Sequence, residues 1–368
     1  MAALKSETGG KVRFSGVGGD NMAEEGLQSL FPMEELSIMG FAEVLPRLPN
    51  LLRRIGETAN AAIQASPNAV VSIDSPGFCL RVVRRLKGQG FPLIHYVAPQ
   101  IWAWRPGRAR KIADTLDYLL ALLPFEPPHF EKVGLTCDFV GHSVVEESLS
   151  KADRLSLGQE FRVNHGFSSD SPLLTVLPGS RRSEVDRLLP VFGETVETLT
   201  TLVPGLQIVV PTLVQIETIV RQGVEKWHTP ATVVTGADPK RGAFAAADAA
   251  LAASGTVSLE LAAARVPTVI AYKLNPISAW IGRRVIQVPW ISLTNIILNR
   301  SLVPEFIQEE CQPEILAPEV LRVLTDSSTR TEQEKGAEEV LTKLGLHEEA
   351  PPSLRAARAI LAEIASRS

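Results

Sequence analysis

Residues 173–184 decide the fold, and they read Leu-Leu-Thr-Val-Leu-Pro-Gly-Ser-Arg-Arg-Ser-Glu. An apolar run ends in a Pro-Gly-Ser turn, and a segment of helical period follows. This order predicts a buried strand that leads into a helix, as in the βα units of parallel sheets. Backbone N–H groups at such a helix start, with Arg181 beside them, suit a diphosphate. A tight turn capped by Ser183, with the arginines solvated, explains the same residues equally well.

The same alternation of short apolar runs and amphipathic stretches extends along the chain. In the first half we predict strands at 12–15, 69–74, 93–98, 118–122 and 137–140. In the second half we predict strands at 173–177, 207–210, 232–234, 249–252 and 268–271, and none from about Pro313 onward. Such alternation is typical of α/β proteins with parallel sheets. We therefore predict two Rossmann-like, doubly wound domains with a cleft between them.

Domain boundaries follow from the polar stretch 142–171, which separates the two series of strands. We expect an N-terminal domain over 1–150 and a C-terminal domain over 165–345. A last helix is expected within 350–368. It could pack back on the N-terminal domain or on a partner subunit.

Composition excludes several classes of protein. The 368 residues are 45% hydrophobic and carry a formal net charge of −4, so no basic field would attract nucleic acid. Three widely spaced cysteines indicate a reduced, cytosolic protein, and no His or Cys spacing suits a metal. No run approaches the about 18 apolar residues of a spanning helix. Any membrane contact is therefore expected to be peripheral.

A second small-residue turn occurs at residues 252–260, which read Ala-Ala-Ser-Gly-Thr-Val-Ser-Leu-Glu. The turn Ser254-Gly255-Thr256 follows a predicted strand, and Glu260 lies about one helical turn further on. A buried carboxylate there could accept both ribose hydroxyls of a nucleotide, although helix starts rich in Ser, Gly and Thr are common. Two such turns would lie on neighbouring strands, which favours a nucleotide site.

Two loops of the first half could face an acceptor. Residues 73–78 read Ile-Asp-Ser-Pro-Gly-Phe, so Asp74 lies at the exit of a strand, where it could accept a proton from an acceptor hydroxyl. Asp74 or Ser75 could instead cap a helix with Pro76 at its first position, and the residues alone favour that cap. Residues 96–105 concentrate two tryptophans and an arginine, which could line a pocket or pack under the loop.

Residues 38–55 form an amphipathic segment. Its apolar positions follow helical spacing at Phe41, Val44, Leu45, Leu48, Leu51, Leu52 and Ile55. Arg47, Arg53 and Arg54 supply positive charge, so the segment could lie in a bilayer interface. More often, the apolar face of such a segment packs on the core of its own domain. Pro46 and Pro49 are expected to break the segment into short turns.

Taken together, these segments resemble the lipid-A-disaccharide synthase family of inverting GT-B glycosyltransferases. The resemblance also rests on Gly-Val-Gly-Gly at 16–19, Pro-Met-Glu-Glu-Leu at 32–36, Met-Gly-Phe-Ala-Glu-Val-Leu at 39–45 and His-Tyr-Val-Ala-Pro-Gln-Ile-Trp-Ala-Trp-Arg at 95–105. It continues with Leu-Pro-Phe-Glu at 123–126, Phe-Val-Gly-His at 139–142, Ser-Leu-Thr-Asn-Ile at 292–296 and Glu-Glu-Cys at 309–311. The matching motifs cover nearly the whole chain in order.

The resemblance implies a reaction and its site residues. Transfer of 2,3-diacylglucosamine from UDP-2,3-diacylglucosamine to 2,3-diacylglucosamine 1-phosphate would give a β-1,6-linked disaccharide 1-phosphate and UDP. The family's general base falls on Asp74, and its essential arginine falls on Arg181, facing the diphosphate. Contacts to the UDP-sugar are implied for Gly179, Ser180, Ser254, Gly255, Thr256, Glu260 and Asn295.

Surroundings and partners are implied as well. The amphipathic segment matches the part of the family proposed to meet acyl chains or membrane, which implies a cytoplasmic protein held peripherally at the inner membrane. Members of this kind need no metal or other cofactor, because helix termini and arginine stabilise the leaving diphosphate. Whether the protein forms a homodimer stays open. The family opens with a strand and a G-E-x-S-G-D loop, and Met1 corresponds to the middle of the helix that follows, so the first strand is expected to be missing.

Competing interpretations remain. Residues 16–19 could indicate a nucleotide-dependent oxidoreductase, but the third fingerprint position is Asn21 and no apolar strand leads to Glu34 or Glu35 as a ribose ligand. Within GT-B, a transferase or epimerase that uses UDP-N-acetylglucosamine is the main alternative. An inactive remnant, shortened at its N-terminus, is another. Exposure of Phe41, Leu45 and Leu48 would favour a lipid substrate over a soluble one.

Overall fold

A computed structural model describes residues 1–36, 41–104, 106–275, 279–280, 282, 284 and 288–367, without the side chains of 41–47, 104 and 106. The chain forms two compact units. Unit 1 comprises residues 1–143 and 347–368, and unit 2 comprises residues 144–346. Among the described residues, no helix is both long enough and apolar enough to span a membrane.

Unit 1 contains a four-stranded parallel sheet with the order β1-β2-β3-β4. Its strands are β1 (Val70–Ile73), β2 (Leu93–Tyr96), β3 (Tyr118–Ala121) and β4 (Thr136–Phe139). These correspond to four of the five predicted strands and confirm the parallel α/β class of the first half. Successive side chains of each strand point to opposite faces, so both faces of the sheet need a covering layer.

Helices of unit 1 provide those layers. They are α1 (Ala2–Glu7), α2 (Asp20–Glu24), α3 (Phe41–Ala65), α4 (Pro76–Leu86), α5 (Ile101–Trp104), α6 (Ala109–Ala113) and α7 (Pro127–Glu131). Short 3-10 helices occupy Met33–Leu36 and Pro106–Arg108. One core contains Leu93 of β2 together with buried residues of α3, α4 and α6. A second core, which contains the next strand residue Ile94, lies on the other face.

The predicted strand at 12–15 is wrong. Residues 12–15 form no ladder, and the nearest pairing is an isolated parallel bridge between Gly16 and Ser29. A strand exists only through hydrogen bonds to a neighbouring strand. Among the described residues, β1 pairs only with β2, so the apolar segment at 12–15 has no ladder to join.

The expectation that two prolines would break the amphipathic segment is also wrong. Helix α3 runs without a break from Phe41 to Ala65 and contains both Pro46 and Pro49. Both prolines fall in the first three turns, so most of the helix retains its hydrogen bonds. Further along, Ile55 and Ala59 are buried in the core, which anchors the rest of the helix. Residues 38–40 of the predicted segment lie outside the described residues.

The chain returns to unit 1 with its last described helix, Pro352–Ser366. Ala356 and Ile360 of this helix pack with Ile94 and Leu120 on one face of the sheet. Arg358 also pairs with Glu7 of α1 at 3.0 Å. The C-terminal residues therefore complete the layer over the face that α3 and α4 leave open.

Unit 2 contains a six-stranded parallel sheet with the order β10-β9-β8-β5-β6-β7. Its strands are β5 (Leu173–Leu177), β6 (Gln207–Thr212), β7 (Thr232–Thr235), β8 (Ala249–Ala253), β9 (Thr268–Tyr272) and β10 (Glu305–Ile307). All five predicted strands are confirmed, whereas β10 was missed. It spans only three residues, all half-buried, which is too short to form the apolar run that marks the others.

The strand order of unit 2 reverses between β5 and β8, which are hydrogen-bonded neighbours. In open α/β sheets, ligands bind beyond the carboxyl ends of strands at such a reversal. The turns that leave β5 and β8 are the two small-residue turns singled out from the sequence. Their predicted position on neighbouring strands is confirmed.

Helices surround this second sheet. They are α8 (Lys151–His165), α9 (Arg182–Leu202), α10 (Glu217–Val224), α11 (Ala237–Ala246), α12 (Val257–Ala263), α13 (Leu293–Leu298), α14 (Pro313–Thr325) and α15 (Ser327–Lys343), which makes the last helix of unit 1 α16. Short 3-10 helices lie at Ser143–Glu147, Val214–Ile216 and Gln308–Glu310. The largest core lies between β5, β6 and β8 and the helices α9, α10 and α14.

Candidate functional site

The turn after β5 is built around a glycine. Gly179 has φ +121°, and a Cβ there would lie 2.6 Å from Cβ of Glu184. A side chain at this position would therefore suffer both backbone strain and a steric clash. Only glycine lets the strand turn so tightly into helix α9.

Glu184 closes this turn from within. Its carboxylate is buried and accepts hydrogen bonds from the Ser180 N–H at 3.0 Å and from Arg181 Nη1 at 2.9 Å. The Ser180 N–H is therefore occupied by a carboxylate of the same chain. The alternative of a turn capped by Ser183 is wrong, since Arg181 takes the N-cap position and no side chain caps the helix. The sequence carries a signal for this contact, because Glu184 lies three residues after the N-cap residue, where an acid commonly reaches back to a backbone N–H.

Tyr272, at the end of β9, reaches the same carboxylate. Its hydroxyl donates to Oε1 of Glu184 at 2.9 Å. Burial, followed by the nearby Glu184, raises the pKa of Tyr272 to about 12. Because β8 lies between β9 and β5, this hydrogen bond connects the end of β9 to the start of α9 across an intervening strand. Nothing in the sequence pairs these residues.

The turn after β8 presents exposed backbone. Gly255 and Thr256 are exposed, and a Cβ at Gly255 would meet no atom within 4 Å. The hydroxyl of Ser254 donates to the carbonyl of Ile291 at 2.8 Å. This bond holds the turn against the loop before α13 and leaves the space above Gly255 open.

Glu260, the predicted ribose ligand, is half-buried in α12 rather than fully buried. Lys240 of α11 donates to its Oε2 at 2.7 Å. The ion pair fixes the carboxylate, while Oε1 has no hydrogen-bond partner among the described residues. Lys240 is a contributor that the sequence did not single out.

Asn295 is fully buried, and its side chain is saturated by contacts within the protein. Its amide nitrogen donates to the Val303 carbonyl at 2.8 Å and to Glu305 at 2.7 Å, and its oxygen accepts the N–H groups of Leu302 and Val303. All of its hydrogen-bonding capacity is therefore directed at residues 302–305. In this structure Asn295 positions a loop.

Glu305 extends that network toward the β8 turn. It accepts the N–H groups of Ile291 at 2.8 Å and Ser292 at 2.9 Å. Burial raises its pKa, while those hydrogen bonds and Asn295 oppose the rise. Since Ile291 in turn accepts from Ser254, the chain Asn295, Glu305, Ile291 connects the start of β10 to the small-residue turn.

In unit 1, Asp74 leaves β1 in a strained backbone conformation. Asp74 has φ +46° and Ser75 has φ +41°, a region that residues other than glycine rarely adopt. Ser75 is the N-cap of α4 and Pro76 its first residue, as expected, but no side chain caps the helix. The carboxylate of Asp74 is exposed and makes no hydrogen bond or ion pair with the described residues. The predicted cap is therefore absent.

A buried histidine lies near Asp74. His95 on β2 is fully buried, and its Nδ1 lies 2.7 Å from the hydroxyl of Ser72. Its Nε2 is buried without a hydrogen-bond partner among the described residues. Burial lowers the pKa of His95 to about 4, an effect that Asp74 and Ser72 partly oppose. The imidazole is therefore neutral at pH 7.

The tryptophan-rich loop after β2 is packed from beneath. Trp102 is buried, its Nε1 donates to Glu126 at 3.1 Å, and its ring meets Phe125 edge-on with centroids 4.9 Å apart. Burial raises the pKa of Glu126 from 4.5 to about 7. Of the two interpretations offered for this loop, Trp102 fits packing rather than an open pocket. Arg105 and the side chain of Trp104 lie outside the described residues.

The predicted apolar patch divides along α3. Leu48 and Leu52 are 36% and 46% exposed, whereas Leu51 packs against the core and Ile55 is buried. Phe41, Val44 and Leu45 are among the side chains that the structure leaves undescribed. The described part of the segment thus combines core packing with exposed leucines.

Two of the three arginines of this segment, Arg53 and Arg54, pair with glutamates, and the side chain of Arg47 lies outside the described residues. Arg54 Nε donates to Glu35 at 2.8 Å, and Arg53 and Arg54 both lie within ion-pair distance of Glu57. Part of the positive charge assigned to the segment is therefore neutralised within the protein.

Comparison with known proteins decides the family. The profile described as lipid-A-disaccharide synthetase matches residues 1–359. The chain belongs to the lipid-A-disaccharide synthetase family. Among its relatives, the lipid-A-disaccharide synthase of Rhodospirillum centenum is 55% identical, with 100% of this chain and 91% of the relative covered. That of Paramagnetospirillum magneticum is 49% identical, with coverages of 98% and 92%.

Solved structures show which fold this member of the lipid-A-disaccharide synthetase family adopts. The UDP-GlcNAc 2-epimerase from Neisseria meningitidis, bound to UDP-GlcNAc, has a TM-score of 0.60 at 11% identity and covers 93% of this chain and 91% of its own. Anabaena HepE, in complex with UDP and glucose, has a TM-score of 0.56 at 12% identity, with coverages of 98% and 94%. Acinetobacter baumannii MurG has a TM-score of 0.55 at 13% identity, with coverages of 95% and 98%. These are GT-B proteins, and the predicted fold class is confirmed.

Proposed function

We propose that this protein transfers 2,3-diacylglucosamine from UDP to the 6-hydroxyl of 2,3-diacylglucosamine 1-phosphate. The products are a β-1,6-linked disaccharide 1-phosphate and UDP. The observation that carries the proposal is the full-length match to the lipid-A-disaccharide synthetase family, with relatives of that name at up to 55% identity. The reaction class is glycosyl transfer, and the protein is an enzyme of that class.

Unit 2 is the proposed donor site. The strand order reverses between β5 and β8, and the exposed backbone of Gly255 and Thr256 opens beside that reversal. We assign the diphosphate to the two small-residue turns, with Gly179, Ser180 and Ser254 shaping them and Arg181 providing positive charge. The ribose is assigned to Glu260, whose Oε1 is available. Asn295 acts by positioning the loop that supports Ser254.

Asp74 is the proposed general base. Its exposed carboxylate is held at the end of β1 by a strained backbone, and strain of this kind concentrates at functional sites. In the proposed step the acceptor's 6-oxygen forms a bond to the anomeric carbon of the donor sugar, while the bond from that carbon to the diphosphate breaks. The 6-hydroxyl proton passes to Asp74, and the electron pair leaves with UDP. Arg181 stabilises the departing charge.

A peripheral membrane contact belongs to the same proposal. Leu48 and Leu52 expose apolar surface on α3, in the segment that also carries Phe41, Val44, Leu45 and Leu51. An acylated substrate explains such a surface, since the acyl chains of the substrate are buried in the inner membrane. We place the protein at the cytoplasmic face of that membrane. A homodimer stays a prediction.

The proposal is tested by incubating the full chain with UDP-2,3-diacylglucosamine and 2,3-diacylglucosamine 1-phosphate in mixed micelles. Mass spectrometry is expected to detect the disaccharide 1-phosphate, with UDP released in equal amount. UDP-N-acetylglucosamine serves as the alternative donor. Its conversion, without any product from the diacylated donor, would favour the GT-B transferase or epimerase alternative.

A further inference from the structure

A basic groove lies between α4 and α6 of unit 1, with a cavity volume of about 230 Å³. Its floor contains the buried side chains of Leu80, Ile112 and Thr115. Its rim carries four exposed cations, which are Arg81, Arg84, Arg108 and Lys111. No carboxylate occurs among the described residues that line it. The groove thus combines an apolar floor with a positively charged rim.

These rim cations are not used for internal structure. Within the described part of the chain, none of the four side chains makes an ion pair or a hydrogen bond. Arg53 and Arg54 of the neighbouring helix α3 are instead paired with glutamates. Like charges gathered around one cavity repel one another, and in a chain of net charge −4 the cluster is a local exception. A bound anion would relieve that repulsion.

The geometry suits a phosphate monoester on a larger, partly apolar molecule. Arg81 and Arg84 are three residues apart on α4, a spacing that places them on one helix face. Arginine forks match the oxygen spacing of phosphate. The floor of Leu80 and Ile112 offers apolar contact to the body of the ligand.

The groove begins beside the proposed base. Pro76 and Gly77, the first residues of α4, line its near end, and Asp74 lies two residues before Pro76. Arg81 follows Pro76 by five residues, which is about 7 Å along the helix axis. That length is comparable to a hexose ring.

We infer that the basic groove binds the 1-phosphate of the acceptor sugar, while its 6-hydroxyl lies at Asp74. This inference rests on the proposed function and assigns one end of the acceptor to named residues. Arg81 and Arg108 are the principal ligands, because Arg81 comes from α4 and Arg108 from the 3-10 helix that leads into α6. The groove would therefore select an acceptor with a free phosphate.

The test compares Arg81→Gln and Arg108→Gln with Arg85→Gln on α4 and Arg110→Gln on α6, controls that remove the same charge from residues that do not line the groove. In the groove variants the KM for 2,3-diacylglucosamine 1-phosphate is expected to rise about tenfold or more, while the donor KM changes less than twofold. The control variants should match wild type. An unchanged acceptor KM in both groove variants would overturn the inference, even though disaccharide formation by wild type would leave the proposed function intact.

A second measurement separates the acceptor phosphate from a phospholipid head group. Wild type and Arg81→Gln are sedimented with vesicles of phosphatidylglycerol and phosphatidylcholine, and the bound fraction is expected to be the same for both. Loss of vesicle binding together with a normal acceptor KM would make the groove a membrane contact and overturn the assignment. In parallel, 2,3-diacylglucosamine without the 1-phosphate should be a poor acceptor for wild type, and the groove variants should discriminate less between the two acceptors.

Discussion

The hydroxyl of Tyr272 donates to the carboxylate of Glu184 at 2.9 Å, and the two residues are 88 positions apart in the chain. One residue ends β9 and the other begins α9, and β8 separates their strands. The hydrogen bond therefore braces the β5 turn from the far side of the β8 turn. It holds the carboxylate of Glu184, which accepts the Ser180 N–H in one of the two turns proposed to hold the diphosphate.

Replacing Tyr272 by Phe removes that brace without changing the shape of the ring. Loss of one buried hydrogen bond should lower the free energy of unfolding by about 1 kcal/mol. The donor KM should rise several-fold while the acceptor KM stays constant, because only the β5 turn is loosened. Calorimetric binding of UDP to wild type and Tyr272→Phe measures the effect. Equal UDP affinity would mean that the brace has no role in donor binding.

Asp74 offers a test that separates function from stability. Asp74→Gly removes the carboxylate and relieves the positive φ, so we expect turnover to fall by about 100-fold or more while stability rises by up to about 1 kcal/mol. Asp74→Asn keeps the backbone preference and should lose turnover with little change in stability. Thermal unfolding and disaccharide formation are measured on the same samples. Near-normal turnover of folded Asp74→Asn protein would remove Asp74 from the mechanism.

Glu126 makes stability depend on pH. Folding raises its pKa from 4.5 to about 7, so the folded protein holds this proton more tightly than the unfolded chain. Its effect on the free energy of unfolding is absent below pH 4.5. As pH rises through 7 the effect becomes a loss on the order of 3 kcal/mol.

Glu126→Gln cannot titrate, so its stability relative to wild type should increase between pH 4.5 and 7. Denaturant unfolding at several pH values measures this difference, and a constant difference across the range would contradict the buried-carboxylate account. The fluorescence of Trp102, which donates to Glu126, should change over the same pH range in wild type only.

Gly179→Ala tests the turn after β5. The new methyl group would lie within 2.6 Å of Glu184 at a φ of +121°, so the free energy of unfolding should fall by about 1–3 kcal/mol. Gly107→Ala is the matched control, because a Cβ there meets nothing within 4 Å. Chemical denaturation compares the two variants. Equal stabilities would show that the turn can relax to accept a side chain.

Asn295→Ala tests whether this residue positions a loop. The substitution removes four hydrogen bonds inside the fold and leaves the N–H groups of Leu302 and Val303 without their acceptor, which should cost about 3 kcal/mol or more. Asn164, an exposed asparagine on α8, provides the control substitution to Ala. Unchanged stability combined with lost UDP binding would instead assign Asn295 to direct contact with the nucleotide.

The local pattern of apolar runs and turn residues predicted most of the strands. Nine of the ten strands of the two sheets were predicted, because buried parallel strands are continuous apolar runs bounded by Gly, Pro or Ser. The exceptions are informative. Residues 12–15 have the composition of a strand but no ladder, and β10 has a ladder partner but spans only three residues. Strand pairing depends on a neighbouring strand, and the local sequence pattern does not show which strand that is.

The candidate site divides in the same way. The positions of Asp74, Gly179 and Gly255 at strand exits follow from the order of apolar runs and turn residues. Their environments do not. The contacts of Tyr272 with Glu184, of His95 with Ser72 and of Lys240 with Glu260 all depend on which strands and helices lie side by side.

The sequence by itself determined the α/β class, the two turns of unit 2 and the acid at the end of β1, because burial and turn formation are local properties of composition and spacing. Only the tertiary structure decided that α16 covers the sheet of unit 1 and that Tyr272 braces Glu184. It also decided that four cations share one groove. These contacts join residues far apart in the chain, and strand order and register, rather than neighbouring letters, bring them together.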